Sequence, residues 1–334
     1  MNNFFLTVLE NKKTSETIKR LDFDRKLRKK ILPFCRLKYG DIWEDPVKGH
    51  RVGVLDATKI DDIAKIVKND KVALIINDPP YNLVVGRAKS PNLFKKSLDE
   101  YIEFSRMWLE NTAKIMEDDS HLYIWLGVDF KDKFQPLPDF MIMMRKFEEF
   151  KPRNFITLRN QRGYGTQKNW MWIRQELLHY VKGKPDFKVV YTDIPKVLKG
   201  YYKNVGGKIT ENTERGKSDF IRPGNVWIDI QQVFYRREEN VPGCYAQKPL
   251  KAIERILLTS SKKREFVVDF FAHSGTTLLA GELHNRKIFT FDLDPIFAEI
   301  TIRRLERYRL TGKIGWQWKN PFPEIETCNN KSES

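Results

Sequence analysis

Residues 72–82, Val-Ala-Leu-Ile-Ile-Asn-Asp-Pro-Pro-Tyr-Asn, constrain the fold of this chain more than any other stretch. The unbroken apolar run at its start predicts a strand buried on both faces, the habit of parallel sheets. It stops at Asn77-Asp78-Pro79-Pro80, because prolines bring no N–H to a sheet ladder. A carboxylate is thereby placed at the carboxyl end of a buried strand, where open α/β sheets hold their ligands. A residue before proline is driven to extended conformations, so Asp78 and Pro79 are both held extended. The Asp78 carboxylate and the Pro79 carbonyl then form a corner that only accepts hydrogen bonds. Such a corner suits an NH2 group, and Tyr81 adds a flat face for a ring. An aminated planar base fits it, although a plain strand-ending turn accounts for the same four residues.

Other stretches repeat the strand that ends in an acid. Val52-Gly-Val-Leu-Asp56 precedes an amphipathic helix expected over 59–68, and Asp56 either caps that helix or meets a ligand. The strand before Asp269 leads into Phe270-Phe271-Ala272-His273-Ser274-Gly275-Thr276-Thr277. A small-residue turn of this kind lets backbone approach a ligand and presents helix-start N–H groups. The strand over 287–292 closes on Asp292, with Asp294 in reserve, and an acid so placed in a Rossmann-like unit grips ribose hydroxyls. Helices expected at 98–116, 140–150, 245–258 and 296–309 alternate with strands at 121–126 and 154–158. That alternation predicts an α/β fold with a mostly parallel sheet. In the last helix Phe297, Ile300, Leu305 and Tyr308 are expected to pack while the arginines face water, and His121 is expected at a strand edge.

With 60 Lys and Arg against 44 Asp and Glu, the 334 residues carry a formal charge of +16, which calls for a polyanionic partner. Arg159, Arg162 and Lys168 lie among Tyr164, Trp170 and Trp172, the mixture with which phosphates are held and bases stacked. Arg87 and Lys89 belong to a loop over 82–96 that reads as a mobile, substrate-gripping segment beside Asp78. Residues 184–240 lose the strand–helix alternation and carry Arg222 in a turn. A basic stretch over 10–32 is expected to be helical, with Leu21, Phe23, Leu27 and Ile31 against the body. Cys35, Cys244 and Cys328 have neither metal-ligand spacing nor a paired framework, which suits a reducing, cytoplasmic setting. No apolar run is long enough to span a membrane, and residues 4–9 are too short for a signal sequence.

Asp78-Pro79-Pro80-Tyr81 resembles the signature of DNA methyltransferases that act on exocyclic amino groups. Gln247-Lys248-Pro249 resembles the family's segment beside the methionine end of the cofactor. Residues 269–275 resemble its cofactor loop, usually Asp-Pro-Phe-x-Gly-Ser-Gly, with Phe270 in place of the proline and His273 in place of the first glycine. Residues 169–183 resemble the family's late core strand, and Gln175-Glu176 stands in it where a His-Glu pair is common. The cofactor loop follows the catalytic motif, and this permuted order is similar to the beta-type amino methyltransferases over most of residues 50–310.

The resemblance implies a Rossmann-like methyltransferase fold with an inserted target-recognition region. Its expected divisions are a basic extension (1–45), a catalytic half (46–183), the recognition region (184–240), a cofactor half (241–315) and a polar tail (316–334). It further implies methyl transfer from S-adenosylmethionine to N6 of a flipped adenine in double-stranded DNA, with no metal. Asp78, Pro79, Pro80 and Tyr81 would carry the chemistry. Asp56 would meet the adenine end of the cofactor and Asp292 its ribose, with Asp78, Lys248 and Pro249 near the methionine end. Asp269, Phe271, Ala272, Ser274, Gly275, Thr276 and Thr277 would form the cofactor loop. Arg87, Lys89, Arg159, Arg162, Lys168 and Arg222 would contact DNA. A cognate restriction endonuclease and a homodimer are common in this type. N4 of cytosine is the alternative target, and a silent DNA-binding subunit on the same fold the alternative role.

Overall fold

The computed structural model describes residues 21, 24–80, 97–127, 135–164, 167–168, 170–197, 202–211, 218–233, 236–245, 247–317 and 319–325. Tyr81, Arg87 and Lys89 lie outside the described residues. In chain order the first half contains α1 (Arg25–Ile31), β1 (Ile42–Glu44), β2 (Arg51–Val54), α2 (Ile60–Val67), β3 (Val72–Asn77), α3 (Leu98–Ile115), β4 (Met116–Leu126) and α4 (Pro136–Met144). There follow β5 (Lys151–Tyr164), β6 (Trp172–Lys182), β7 (Tyr202–Val205), β8 (Lys208–Glu211) and β9 (Val226–Trp227). The last part holds α5 (Leu250–Ser260), β10 (Phe266–Asp269), α6 (Thr276–His284), β11 (Lys287–Asp292) and α7 (Pro295–Thr311).

One sheet dominates, in the order β1-β2-β11-β10-β3-β4-β6-β5-β9. The five strands from β2 to β4 run parallel, and β6 and β5 continue the sheet antiparallel. Every residue of β3 is buried, as the unbroken apolar run requires. Successive side chains of a strand face opposite ways, so Leu74 and Ile76 pack with Ile253 and Leu278 on one face. Ile75 packs with Ile63 and Trp108 on the other. Helix α3 starts at a full capping box between Ser97 and Glu100, which satisfies two orphan N–H groups. Within 184–240, β7 and β8 form a two-stranded sheet of their own, whereas β9 adds to the main sheet beside β5.

Several elements differ from expectation. The helix expected over 140–150 runs from Pro136 to Met144, since proline suits the first helical turn and the following turns deliver Phe147 and Phe150 to the core. The strands expected at 154–158 and 169–183 are one long antiparallel hairpin. In α7, Arg304 is fully buried rather than turned to water. His121 lies inside the sheet, not at its edge.

His121 Nε2 donates to the Asp186 carbonyl at 2.9 Å, so its Nδ1 accepts from His179 Nε2 at 3.0 Å. The His179 ring stacks on Tyr123 with centroids 4.0 Å apart. Burial, reinforced by His121, pushes His179 down to about 3. A histidine held neutral opposes folding once the unfolded chain takes up a proton, so its effect grows as pH falls from about 6.5 toward that value. His179→Gln should therefore flatten the loss of stability between pH 6.5 and 4, by up to about 1.4 kcal/mol per pH unit at the wild-type slope. Urea unfolding of both proteins across that range measures it.

Candidate active site

Four neighbouring parallel strands, β2, β11, β10 and β3, end in acids on the same edge of the sheet. Asp292 pairs with Val54 two residues before Asp56, Asp269 pairs with Thr290, and Ile75 beside Val268 leads to Asp78. Asp56, Asp292, Asp269 and Asp78 thus form a row across the carboxyl ends, although 236 positions separate Asp56 from its neighbour Asp292. Asp56 does not cap α2: its Oδ1 accepts from the Thr58 N–H and hydroxyl, and Lys59 holds the cap position.

At the end of β3, Asp78 Oδ2 accepts from Lys248 Nζ at 2.6 Å. Lys248 is 7% exposed and its ammonium lies 5.3 Å from the Trp125 ring centre. Pro249, next in sequence, is the N-cap of α5. One residue before Asp78, buried Asn77 accepts the Phe270 N–H at 3.0 Å. A proline at position 270 would have no such donor, so the departure from the usual loop sequence joins the two strand ends here.

The loop after β10 is held from within. Asp269 accepts from the Phe271 N–H at 2.9 Å and from the Thr277 hydroxyl at 2.6 Å. Burial outweighs these bonds and pushes its carboxyl up to about 7, with help from Asp78. Asp292 Oδ2 accepts the His273 N–H at 3.0 Å, and burial together with Asp294 pushes it to about 7. His273 adopts the left-handed region at φ 42°, which costs about 1 kcal/mol without glycine. Its N–H bond to Asp292 and a ring contact with Phe297 at 4.8 Å hold it there. His273 thus holds a left-handed turn at the position where the family's loop usually has glycine. Gly275 (φ 70°) precedes α6, and a Cβ there would sit 2.9 Å from the Thr301 Cα.

Arg304 was not legible as a site residue. Its Nη1 donates to the Ser274 carbonyl at 2.9 Å and to Thr276 Oγ1 at 3.0 Å, while its Nε donates to the Ile314 carbonyl. Asn77, Trp125 and Arg304 carry no motif; an arginine on an otherwise apolar helix face was the available signal for the last.

Around these residues lies a cleft lined by Asp78, Trp125, Lys248, Asp269 and, from the loop after β10, Phe271, Ala272, His273, Ser274, Thr276 and Thr277. Its small-residue turn leaves backbone approachable, and its acids face the one lysine among the lining residues. Such a cleft fits a ligand that joins a cation to hydroxyls and a carboxylate. On the same edge, exposed Arg159 and Arg174 stand directly opposite on β5 and β6. Like charges so placed repel, which a polyanion relieves. Arg174 also meets the buried Glu176 at 2.9 Å, and Glu176 pairs in register with Leu126. Lys168 and Trp170 are exposed in the β5–β6 connection, Trp170 at 90%. Arg162 lies in β5 and exposed Arg222 in the loop before β9.

A family model for N6 and N4 methyltransferases, described as DNA methylase, matches residues 72–303. The chain belongs to the N6/N4 DNA methyltransferase family. The Type II methyltransferase M.HpaI of Haemophilus parainfluenzae is 26% identical over 242 residues, 72% of this chain and 70% of that protein. The DNA adenine methyltransferase YhdJ of Escherichia coli (strain K12) is 24% identical over 244 residues, 72% of this chain and 79% of that protein. In fold, the cytosine-N4-specific PvuII DNA methyltransferase superposes with a TM-score of 0.52 at 14% identity, covering 75% of this chain and 84% of its own. The M1.HpyAVI–SAM complex superposes at 0.50 and 18%, covering 78% and 98%.

This N6/N4 methyltransferase uses S-adenosylmethionine and acts on DNA. The cofactor brings a methyl group on a positive sulfur, an ammonium, ribose hydroxyls and a carboxylate, and the lining described above suits each. Among the described residues no helix is long and apolar enough to cross a membrane.

Two expectations follow from the loop. Gly275→Ala places a methyl against the Thr301 backbone in a left-handed position; it should cost about 2–4 kcal/mol of stability and weaken cofactor binding at least tenfold, read by calorimetric titration. Cationic cofactor favours ionised Asp269 and Asp292, which sit near 7 in the free protein. Its affinity should therefore rise with pH from 6 to 8, with proton release on binding seen as a buffer-dependent heat.

Proposed function

We propose that this enzyme methylates N6 of an adenine flipped out of duplex DNA. The observation that carries the reading is Asp78 at the end of β3, beside the row of acids that leads across the sheet. Along that row the parts of the cofactor find partners in order: Asp56 for its adenine, Asp292 for ribose hydroxyls, Asp269 and Lys248 for the methionine end. Asp78 then receives the base. The carboxylate and the Pro79 carbonyl accept the two amino hydrogens and turn the nitrogen lone pair out of conjugation toward the methyl group, with Tyr81 stacked on the ring. Leaving the duplex costs the base roughly a few kcal/mol, and alignment of the two partners supplies most of the acceleration.

Asp at the first motif position, which the family pattern associates with adenine, supports N6 over N4; a relative named an adenine methyltransferase agrees with it. The like-charged pair Arg159–Arg174, with Lys168 and exposed Trp170, supports a DNA face along the β5–β6 hairpin, and residues 184–240 are the proposed recognition region. Relatives named Type II methyltransferases support a cytoplasmic modification enzyme with a cognate restriction endonuclease, and a homodimer belongs to the same reading.

Unmethylated bacterial DNA incubated with methyl-labelled cofactor and digested to nucleosides should yield labelled N6-methyladenine. Label in N4-methylcytosine would overturn the choice of base. Asp78→Ala should lower transfer by a factor of at least about 100 while cofactor binding, measured by titration, changes little; retained turnover would remove Asp78 from the chemistry.

A further inference from the structure

The bond from Lys248 to Asp78 fills the corner that the base must use. Lys248 presents N–H donors to Asp78 Oδ2 at 2.6 Å, as the amino group of a base would. A base amino group that approached Oδ2 along that direction would have to displace the ammonium. Its main chain cannot follow: the Lys248 carbonyl accepts from Thr276 Oγ1 at 3.3 Å, and the same hydroxyl is gripped by buried Arg304 at 3.0 Å. The next residue caps α5. Movement is therefore confined to the side chain, whose ammonium lies 5.3 Å from the Trp125 ring centre.

A nearly buried ammonium does not leave a carboxylate unless another anion takes it. Among the described residues that line the cleft, Lys248 is the one Lys or Arg, and the remaining charged side chains are the acids Asp78 and Asp269. Among the described lining residues, Lys248 is the lysine or arginine that the carboxylate at the amino-acid end of the cofactor would meet. Its ammonium and sulfonium, conversely, are drawn to the acids.

We propose that Lys248 is a placeholder for the amino group of the base: it holds Asp78 in the free enzyme and passes to the carboxylate of the cofactor, so that the corner opens to a flipped base only after the cofactor is bound. The inference rests on the amino-methyltransferase reading of the site. It makes cofactor binding a condition for base capture, through differential contact with two side-chain positions of one lysine.

The test uses the full-length enzyme and a duplex carrying its methylated site, mapped from the labelled DNA, with 2-aminopurine next to the target base. Loss of stacking when the target flips raises the fluorescence of that neighbour. For the wild type, the signal should rise severalfold with S-adenosylhomocysteine and stay low both without cofactor and with decarboxylated S-adenosylhomocysteine, which keeps the amine and lacks the carboxylate. For Lys248→Met the signal should rise without any cofactor. Equal signals for wild type with and without S-adenosylhomocysteine, or full flipping with the decarboxylated compound, would overturn the placeholder role, and neither outcome depends on the variant folding. A Lys248→Met protein that folds and still requires cofactor would overturn it too. If wild type labels no nucleoside in DNA, the amino-methyltransferase reading itself falls and the placeholder with it; label with cofactor-independent flipping removes the placeholder alone.

Discussion

The parallel pairing of β3 with β10 is the contact on which the site depends. Val267 lies beside Leu74 and Val268 beside Ile75, so the chain after Asn77 and the chain after Asp269 emerge next to each other. These segments are far apart in sequence, and bringing them together carries a loop-closure cost that only a large buried surface can offset. The surface is there: β3 is wholly buried, and both sheet faces are covered by helices. The Phe270 N–H bond to Asn77 then fixes the exit of both strands in a place where an unpaired buried amide would be costly.

Outward from that pairing, polar groups that are buried in this part of the molecule mostly serve to hold loops. Arg304 ties the last helix to the Ser274 carbonyl and Thr276. Thr276 in turn reaches the Lys248 carbonyl. Glu239, fully buried, accepts the Leu250 N–H at the start of α5. Burial pushes Glu239 up and draws Arg304 down to about 10, the usual direction for charge taken out of water. The loop after β10 and the Lys248 segment are thereby one cross-linked body. Asp269, pushed by burial to about 7, lies in its cleft, and Asp292, pushed as far, holds the loop from behind through the His273 N–H.

Local pattern was informative where a residue's neighbours in sequence decide its state. The buried run of β3, the amphipathic face of α2 and the acid at each strand end follow from apolar spacing and from prolines that stop a ladder. It misled where burial is decided by distant partners. Arg304 looks like a surface residue until Ser274, Thr276 and Ile314 surround it. His121 looks like a strand edge until β6 closes over it and His179 supplies its bond. The hairpin of β5 and β6 was legible as two separate strands because its register shifts between Arg159 and Tyr164 interrupt the alternation.

By itself the sequence determined that this chain alternates strands and helices, that its buried strands end in Asp56, Asp78, Asp269 and Asp292, and that a rigid acceptor corner follows one of them. Those properties depend on the residues within a few positions of each other, through side-chain period, proline geometry and charge. The tertiary structure alone decided that the four strands are neighbours in the order β2-β11-β10-β3, that Lys248 reaches Asp78, and that His273 can stand in a left-handed turn. Each of these is a contact between segments far apart in the chain, and its energy comes from surfaces that meet only once the whole sheet has formed.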